Sequence, residues 1–234
     1  MVIKIDIKGV IVSNDDKWIY DWFGVDAISP KDISTQIETA NGEDIESDIN
    51  SPGGDVFAGS EIYTAIKSYT GNSTGRIVGI AASAAGIAAM GFKKLMISPT
   101  AQIMIHNVAS EMMGDYRAHE HEAQILKNYN VSISNAYLLK TGMDQKELLN
   151  MMNKEAWLNA QDALEKGFVD EIMFDEGNRL AASISSAMIP AAVINKMRNY
   201  LKVNPEGIKA RAEPEPKLLD TAALKAKLAL ELIL

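Results

Sequence analysis

The sequence predicts an α/β fold of repeated strand–helix units with one long helix projecting from the body. Three observations carry that expectation. Runs rich in Val and Ile alternate with apolar stripes of helical spacing between residues 2 and 105, a pattern that implies parallel strands joined by right-handed crossovers. The segment 115–141 holds a helical stripe over far more than the ~11–12 residues of an average helix. And 234 residues, 47% hydrophobic and 23% charged, suffice for one full core with a small appendage.

Each element follows from local chemistry. Residues 2–12 alternate and are β-branched, so they predict a strand. The stretch 17–28 carries Trp18 and Trp22 and is expected to be a surface loop with aromatic anchors. Ser29-Pro30 supplies a cap and a first-turn proline for a helix that ends near Asn41-Gly42. A short strand at 45–49 runs into Asn50-Ser-Pro-Gly-Gly54, which is turn chemistry at almost every position. Ala58, Ile62, Ala65, Ile66 and Tyr69 mark the next helix. Residues 76–80 predict a strand, 82–91 a helix, and 94–97 and 102–105 two further strands.

The long helix over 115–141 shows Ala118, Ile125, Tyr129, Ile133, Ala136 and Tyr137 on one face, with Gly142 closing it. Asp144 and Glu147 open another helix in the manner of a capping box. An extended piece at 155–158, a helix at 160–166 and a strand at 168–173 complete the body, giving a domain over 1–177. Beyond it, Asn204-Pro-Glu-Gly and Glu213-Pro-Glu-Pro read as linker punctuation. The segment 218–234 predicts a helix that is apolar around most of its circumference and needs something to pack on, so 178–234 is expected to form a separable linker and helical tail.

Bulk properties narrow the function. The formal charge is −8 and the isoelectric point is near 5.0, which disfavours general nucleic-acid binding. There are no cysteines, so disulfides, thiolate metal sites and cysteine nucleophiles are out. The mean hydropathy is −0.05, no apolar run approaches the roughly 18 residues of a membrane span, and residues 1–6 lack the apolar core of a signal peptide. A cytoplasmic protein with no membrane partner is expected.

Peptide hydrolysis without a metal or thiol needs an activated hydroxyl, a base, a group to orient that base, and amide donors for the oxyanion. Ser83 lies in Gly79-Ile-Ala-Ala-Ser-Ala-Ala-Gly86, at a helix start whose free amides favour negative charge and among side chains too small to shield it. Local pattern alone favours an N-cap role for such a serine. His106 follows the strand 102–105, at the strand end where α/β sites form. Of the three histidines, His119 and His121 fall on different helical faces, and no metal or cofactor is expected. Gly53-Gly54 can present a bare backbone N–H, and the N–H of Ala84 can serve as a second donor. The Gly-x-Ser-x-Gly elbow of α/β-hydrolases is absent.

In order, Asn50-Ser-Pro-Gly-Gly, Gly79-Ile-Ala-Ala-Ser-Ala-Ala, Met104-Ile-His-Asn and the block from Trp157-Leu-Asn-Ala to Ala163-Leu-Glu-Lys-Gly-Phe-Val-Asp170 resemble the proteolytic subunit of Clp protease. Within that family the resemblance is to the phage and prophage head-maturation branch, and it spans about residues 2–175. It implies the Clp/crotonase-like superfold with a projecting handle helix, and a serine endopeptidase with Ser83 as nucleophile and His106 as base. Gly53, Gly54 and Ala84 correspond to the oxyanion region. Glu155 stands where the family has aspartate, and Asp170 is the alternative carboxylate. The resemblance further implies protein substrates, among them phage scaffold or capsid proteins, and a homo-oligomeric ring of seven subunits, single or doubled. With the first strand starting near Val2, no room is expected for an axial docking loop, so action is expected to be independent of an ATP-driven unfoldase. Two other readings stand beside this one. A crotonase-type acyl-CoA enzyme would not need the Ser83/His106 pair, and a catalytically weak assembly subunit would not retain it.

Overall fold

The structure, a computed structural model, describes residues 2–175. The linker and helical tail expected at 178–234 lie outside the described residues. In chain order the elements are β1 (Val2–Ile11), α1 (Lys17–Phe23), β2 (Ala27–Ile28), α2 (Pro30–Ala40), β3 (Asp44–Gly54), α3 (Val56–Lys67), β4 (Ser73–Ala82) and α4 (Ala84–Ala89). These are followed by β5 (Lys94–Ile97), β6 (Gln102–Ile105), α5 (Tyr116–Thr141), α6 (Gln145–Asn153), β7 (Ala156–Leu158), α7 (Ala160–Glu165) and β8 (Glu171–Ile172).

Among the described residues the strands form one sheet, parallel in the order β2-β1-β3-β4-β5-β8. β4 has two successive neighbours. Its first half, from Thr74 to Ile77, pairs with β5, and its last residues, from Ile80 to Ala82, pair in parallel with β6. β6 then pairs antiparallel with β7. The sheet therefore splits where β4 approaches Ser83.

The inward residues of the strands are isoleucines at period two: Ile5, Ile7 and Ile11 on β1, Ile45 and Ile49 on β3, Ile77 on β4, all essentially without solvent exposure. Ile62 and Ile66 of α3 and the alanines of α4 join most of them in the main core. The small residues of α4 permit close approach: a Cβ on Gly59 of α3 would stand 2.8 Å from the Ala84 Cβ. On the other side of the sheet, Lys4, Glu46, Asp48 and Arg76 form an ionic group across β1, β3 and β4. Asp48 takes Lys4 Nζ at 3.0 Å and Arg76 Nη2 at 2.7 Å, and Arg76 Nη1 also reaches Glu46 at 3.3 Å.

The helix ends follow their capping chemistry. Ser29 and Asp32 form a capping box ahead of α2, Asp55 accepts the Ala58 N–H ahead of α3, and Gly142 closes α5 in the left-handed region. Three boundaries differ from expectation. The stretch 17–23 is a helix rather than a loop, closed by Gly24 at φ 68° and burying none of its residues. β3 continues through Ser51-Pro-Gly-Gly54, with a register shift against each neighbour, because β1 and β4 both extend beside it. The last strand shrinks to two residues, since Phe168 and Val169 turn back to bond the Ala163 carbonyl.

Candidate active site

The split sheet brings the candidate residues together. In parallel register Ala82 stands beside Met104, so β4 and β6 end at the same edge and release Ser83 and His106 side by side. The Ser83 N–H donates to the Met104 carbonyl at 2.9 Å, and His106 Nε2 lies 2.7 Å from Ser83 Oγ. Next to them β3 ends at Gly53-Gly54, held by β1 on one side and by the Ser51–Ala81 pairing with β4 on the other. Four strand ends thus meet at one point, as parallel α/β sheets arrange their sites.

Ser83 occupies the N-cap position of α4, yet its side chain makes no capping bond. Its backbone, φ 54° and ψ −124°, is one an L-residue adopts only at a cost of about 1–3 kcal/mol. That turn aims Oγ at the imidazole instead of at the helix amides. Gly53 has φ 92° and is pressed against the serine: a Cβ there would meet the Ala82 carbonyl oxygen at 2.6 Å and the Ala84 nitrogen at 2.9 Å. Its N–H is already bonded, to the buried Ser51 Oγ at 3.1 Å. Of the three residues expected at the oxyanion region, Gly53 thus has its N–H engaged within the turn, while Gly54 lines the cleft.

The two carboxylate candidates lie in different places. The β6–β7 ladder ends at the pairing of Ile105 with Ala156, so Glu155 immediately precedes β7 near the end of β6, yet among the described residues no hydrogen bond joins its carboxylate to His106. Glu155 is another positive-φ residue, at 50°, and its Oε1 accepts the Trp157 indole N–H at 3.2 Å. Asp170 is engaged elsewhere: its Oδ2 accepts the Leu95 N–H at 2.7 Å and Lys140 Nζ at 2.6 Å, tying the approach to β8 onto β5 and α5. His119 and His121 sit exposed on the first turns of α5, away from this edge.

A cleft of about 560 Å³ opens in front of Ser83 and His106. One wall is the start of α3, with Asp55 and Phe57, and the other is α5, with Ile125, Tyr129 and Ile133. Phe57 and Tyr129 meet edge to face across it, centroids 5.2 Å apart. Tyr137 lies beneath, fully buried, and burial pushes its phenol far above the usual range. Part of the α5 stripe therefore lines a cleft.

The loop after His106 is pinned by residues that periodicity does not single out. The Val108 N–H donates to Asn130 Oδ1 at 2.8 Å, and Asn107 Nδ2 donates to Asn153 Oδ1 at 2.9 Å. Asn130, a buried polar residue beside the apolar stripe of α5, is the one visible signal for the first of these clamps.

The family model described as Clp protease matches residues 31–176. ATP-dependent Clp protease proteolytic subunit 2 of Tropheryma whipplei is 28% identical over 64% of this chain and 88% of its own length. Subunit 1 of Chlamydia muridarum is 32% identical over 58% of this chain and 73% of its own. Among solved structures, a ClpP1 point mutant from Listeria monocytogenes superposes with a TM-score of 0.61 at 24% identity, covering 73% of this chain and 91% of that one, which speaks to the fold alone.

Proposed function

Since the chain belongs to the Clp protease family, we propose that it is a serine endopeptidase whose nucleophile is Ser83 and whose general base is His106. The observation that carries this reading is the 2.7 Å approach of Oγ to Nε2, made by a serine held in a strained backbone at a helix start. Oγ attacks the scissile carbonyl carbon as Nε2 accepts its proton, and the N–H groups of Gly54 and Ala84 receive the oxyanion. The imidazolium returns the proton to the departing amine. Water then attacks the acyl-enzyme by the same route and frees the serine. Glu155 orients the imidazole through Nδ1, a role supported by the resemblance, which sets it where the family has aspartate.

The enzyme works on protein substrates, as a homo-oligomeric ring in which α5 serves contacts between copies. The narrower biological role is processing of phage scaffold or capsid protein during head assembly. Its support is the resemblance of the four sequence blocks to the phage branch, and incubation with the capsid and scaffold proteins of the source phage or prophage tests it.

A fluorophosphonate probe tests the chemistry. Labelling of the native protein and not of Ser83→Ala is expected, and equal labelling of both removes the nucleophile. Glu155→Gln is expected to cut kcat on a short peptide by about 10²–10⁴-fold. Full activity in that variant takes the orienting role from Glu155.

A further inference from the structure

The α5 wall of the cleft is apolar from Ile133 to Ile125 and then ends on a carboxylate. Glu122 precedes Ile125 and Leu126 by one turn, on the same stripe, and lines the cleft with them. Its Oε1 accepts the Ser110 hydroxyl at 2.6 Å, which fixes the carboxylate beside the middle of the loop that begins at His106. On the opposite wall stands Asp55, whose Oδ1 caps α3. Among the described residues, no lysine or arginine lines the cleft. The neighbouring cations of α5 are turned away or engaged. Arg117 bonds Asp115 at 2.9 Å, and Lys127, five residues beyond Glu122, falls about 140° around the helix.

The loop sets the distance between this charge and the chemistry. Val108 bonds Asn130 and Ser110 bonds Glu122, so residues 106–110 track along α5 away from Ser83. Four residues of chain reach at most about 14 Å. An extended peptide with its scissile carbonyl at Ser83 spans the same length in about four residues.

We infer that Glu122 determines specificity: the cleft selects peptides carrying Lys or Arg three or four residues from the scissile bond, on the side flanked by residues 106–110, and discriminates against Asp or Glu there. For cleavage this rests on the peptidase reading; for peptide binding it does not. A partly exposed charge pair at a cleft edge gives about a fivefold preference, weakened by salt.

The test uses full-length protein and internally quenched decapeptides with Lys, Gln or Glu scanned through each position four residues either side of an apolar cleavage site. It is run at pH 8 and low ionic strength, where screening of a surface charge pair is weakest. Binding is read by anisotropy on Ser83→Ala, and hydrolysis on the protein with Ser83 intact. At one position Lys should exceed Glu about fivefold in affinity and in kcat/KM, Glu122→Gln should level the ratio, and Glu122→Lys should invert it. Charge-dependent binding without Ser83-dependent hydrolysis supports the inference and removes the peptidase reading. Hydrolysis with a Lys-to-Glu ratio unchanged in Glu122→Lys at every position, or no peptide binding at all, overturns the inference.

Discussion

At the scale of single residues, the chemistry is concentrated where the backbone is least comfortable. Of the four non-glycine residues with positive φ among the described residues, Asn41 caps a helix and Phe174 follows the last strand. The other two are Ser83 and Glu155, the proposed nucleophile and orienter. Strain held at a functional residue predicts a trade between stability and activity. Ser83→Gly and Ser83→Ala both remove the hydroxyl, but only glycine relaxes φ 54°. Ser83→Gly is therefore expected to be inactive and about 1 kcal/mol more stable than Ser83→Ala, which thermal denaturation would show as roughly 2–4 °C in Tm. Equal melting temperatures would mean the turn stores no strain. The small residues around Ser83 were visible in the sequence, and so was His106. The positive φ was not, because every signal from a serine at a helix start points to an ordinary cap.

Among elements, the sheet edge was legible and its clamps were not. The strand run ending at Ile105 placed His106 at a strand end, while Ser83 was expected at a helix start. β4 runs on past residue 80 to Ala82, so Ser83 leaves a strand end as well. Their meeting depends on the split of β4 between β5 and β6, a long-range pairing that no local pattern records. Helix α1 escaped because it is only seven residues long, too short for its Trp18/Trp22 and Ile19/Phe23 spacing to stand out from a loop, and Trp18, Trp22 and Phe23 stay exposed. Asn130 shows how one helix steadies a catalytic loop. Its Oδ1 accepts the Val108 N–H from a buried position, and Asn130→Ala leaves that donor without a partner. The loss is expected to cost about 1–2 kcal/mol, locally rather than globally. Hydrogen exchange would register it as faster exchange at Val108 through Ser110, with peptide KM raised more than kcat is lowered. Unchanged exchange there would mean the loop is held by other contacts.

For the molecule as a whole, the outward sheet face and the closure of the core set its limits. Burial alone would raise the Asp48 pKa, but hydrogen bonds and charge from Lys4 and Arg76 outweigh it and hold the carboxyl below its ordinary value. A folded pKa below the unfolded one stabilises above the unfolded value, near 3.8, and that contribution is lost as pH falls through the folded value. Asp48→Asn should thus be about 1–2 kcal/mol less stable at pH 7, with the gap closing below about pH 3 in urea denaturation. The wider architecture was readable because parallel strands buried under helices are β-branched and helices between them striped. A division near residue 177 is expected from where the described core closes. β8 pairs with β5, Ile172 and Met173 are buried, and the Met173 N–H bonds the Ile97 carbonyl, so every described strand and the whole candidate site lie before Asp175. The sequence that follows, with its Ala-Ala-Ser-Ile-Ser-Ser and later Pro-Glu-Pro, has linker composition. Limited proteolysis is therefore expected to leave a stable fragment ending between about residues 175 and 185 that keeps the full-length Tm to within about 3 °C. Cleavage that spares this region, or a fragment that melts far below the intact chain, would show that residues 178–234 belong to the same cooperative unit.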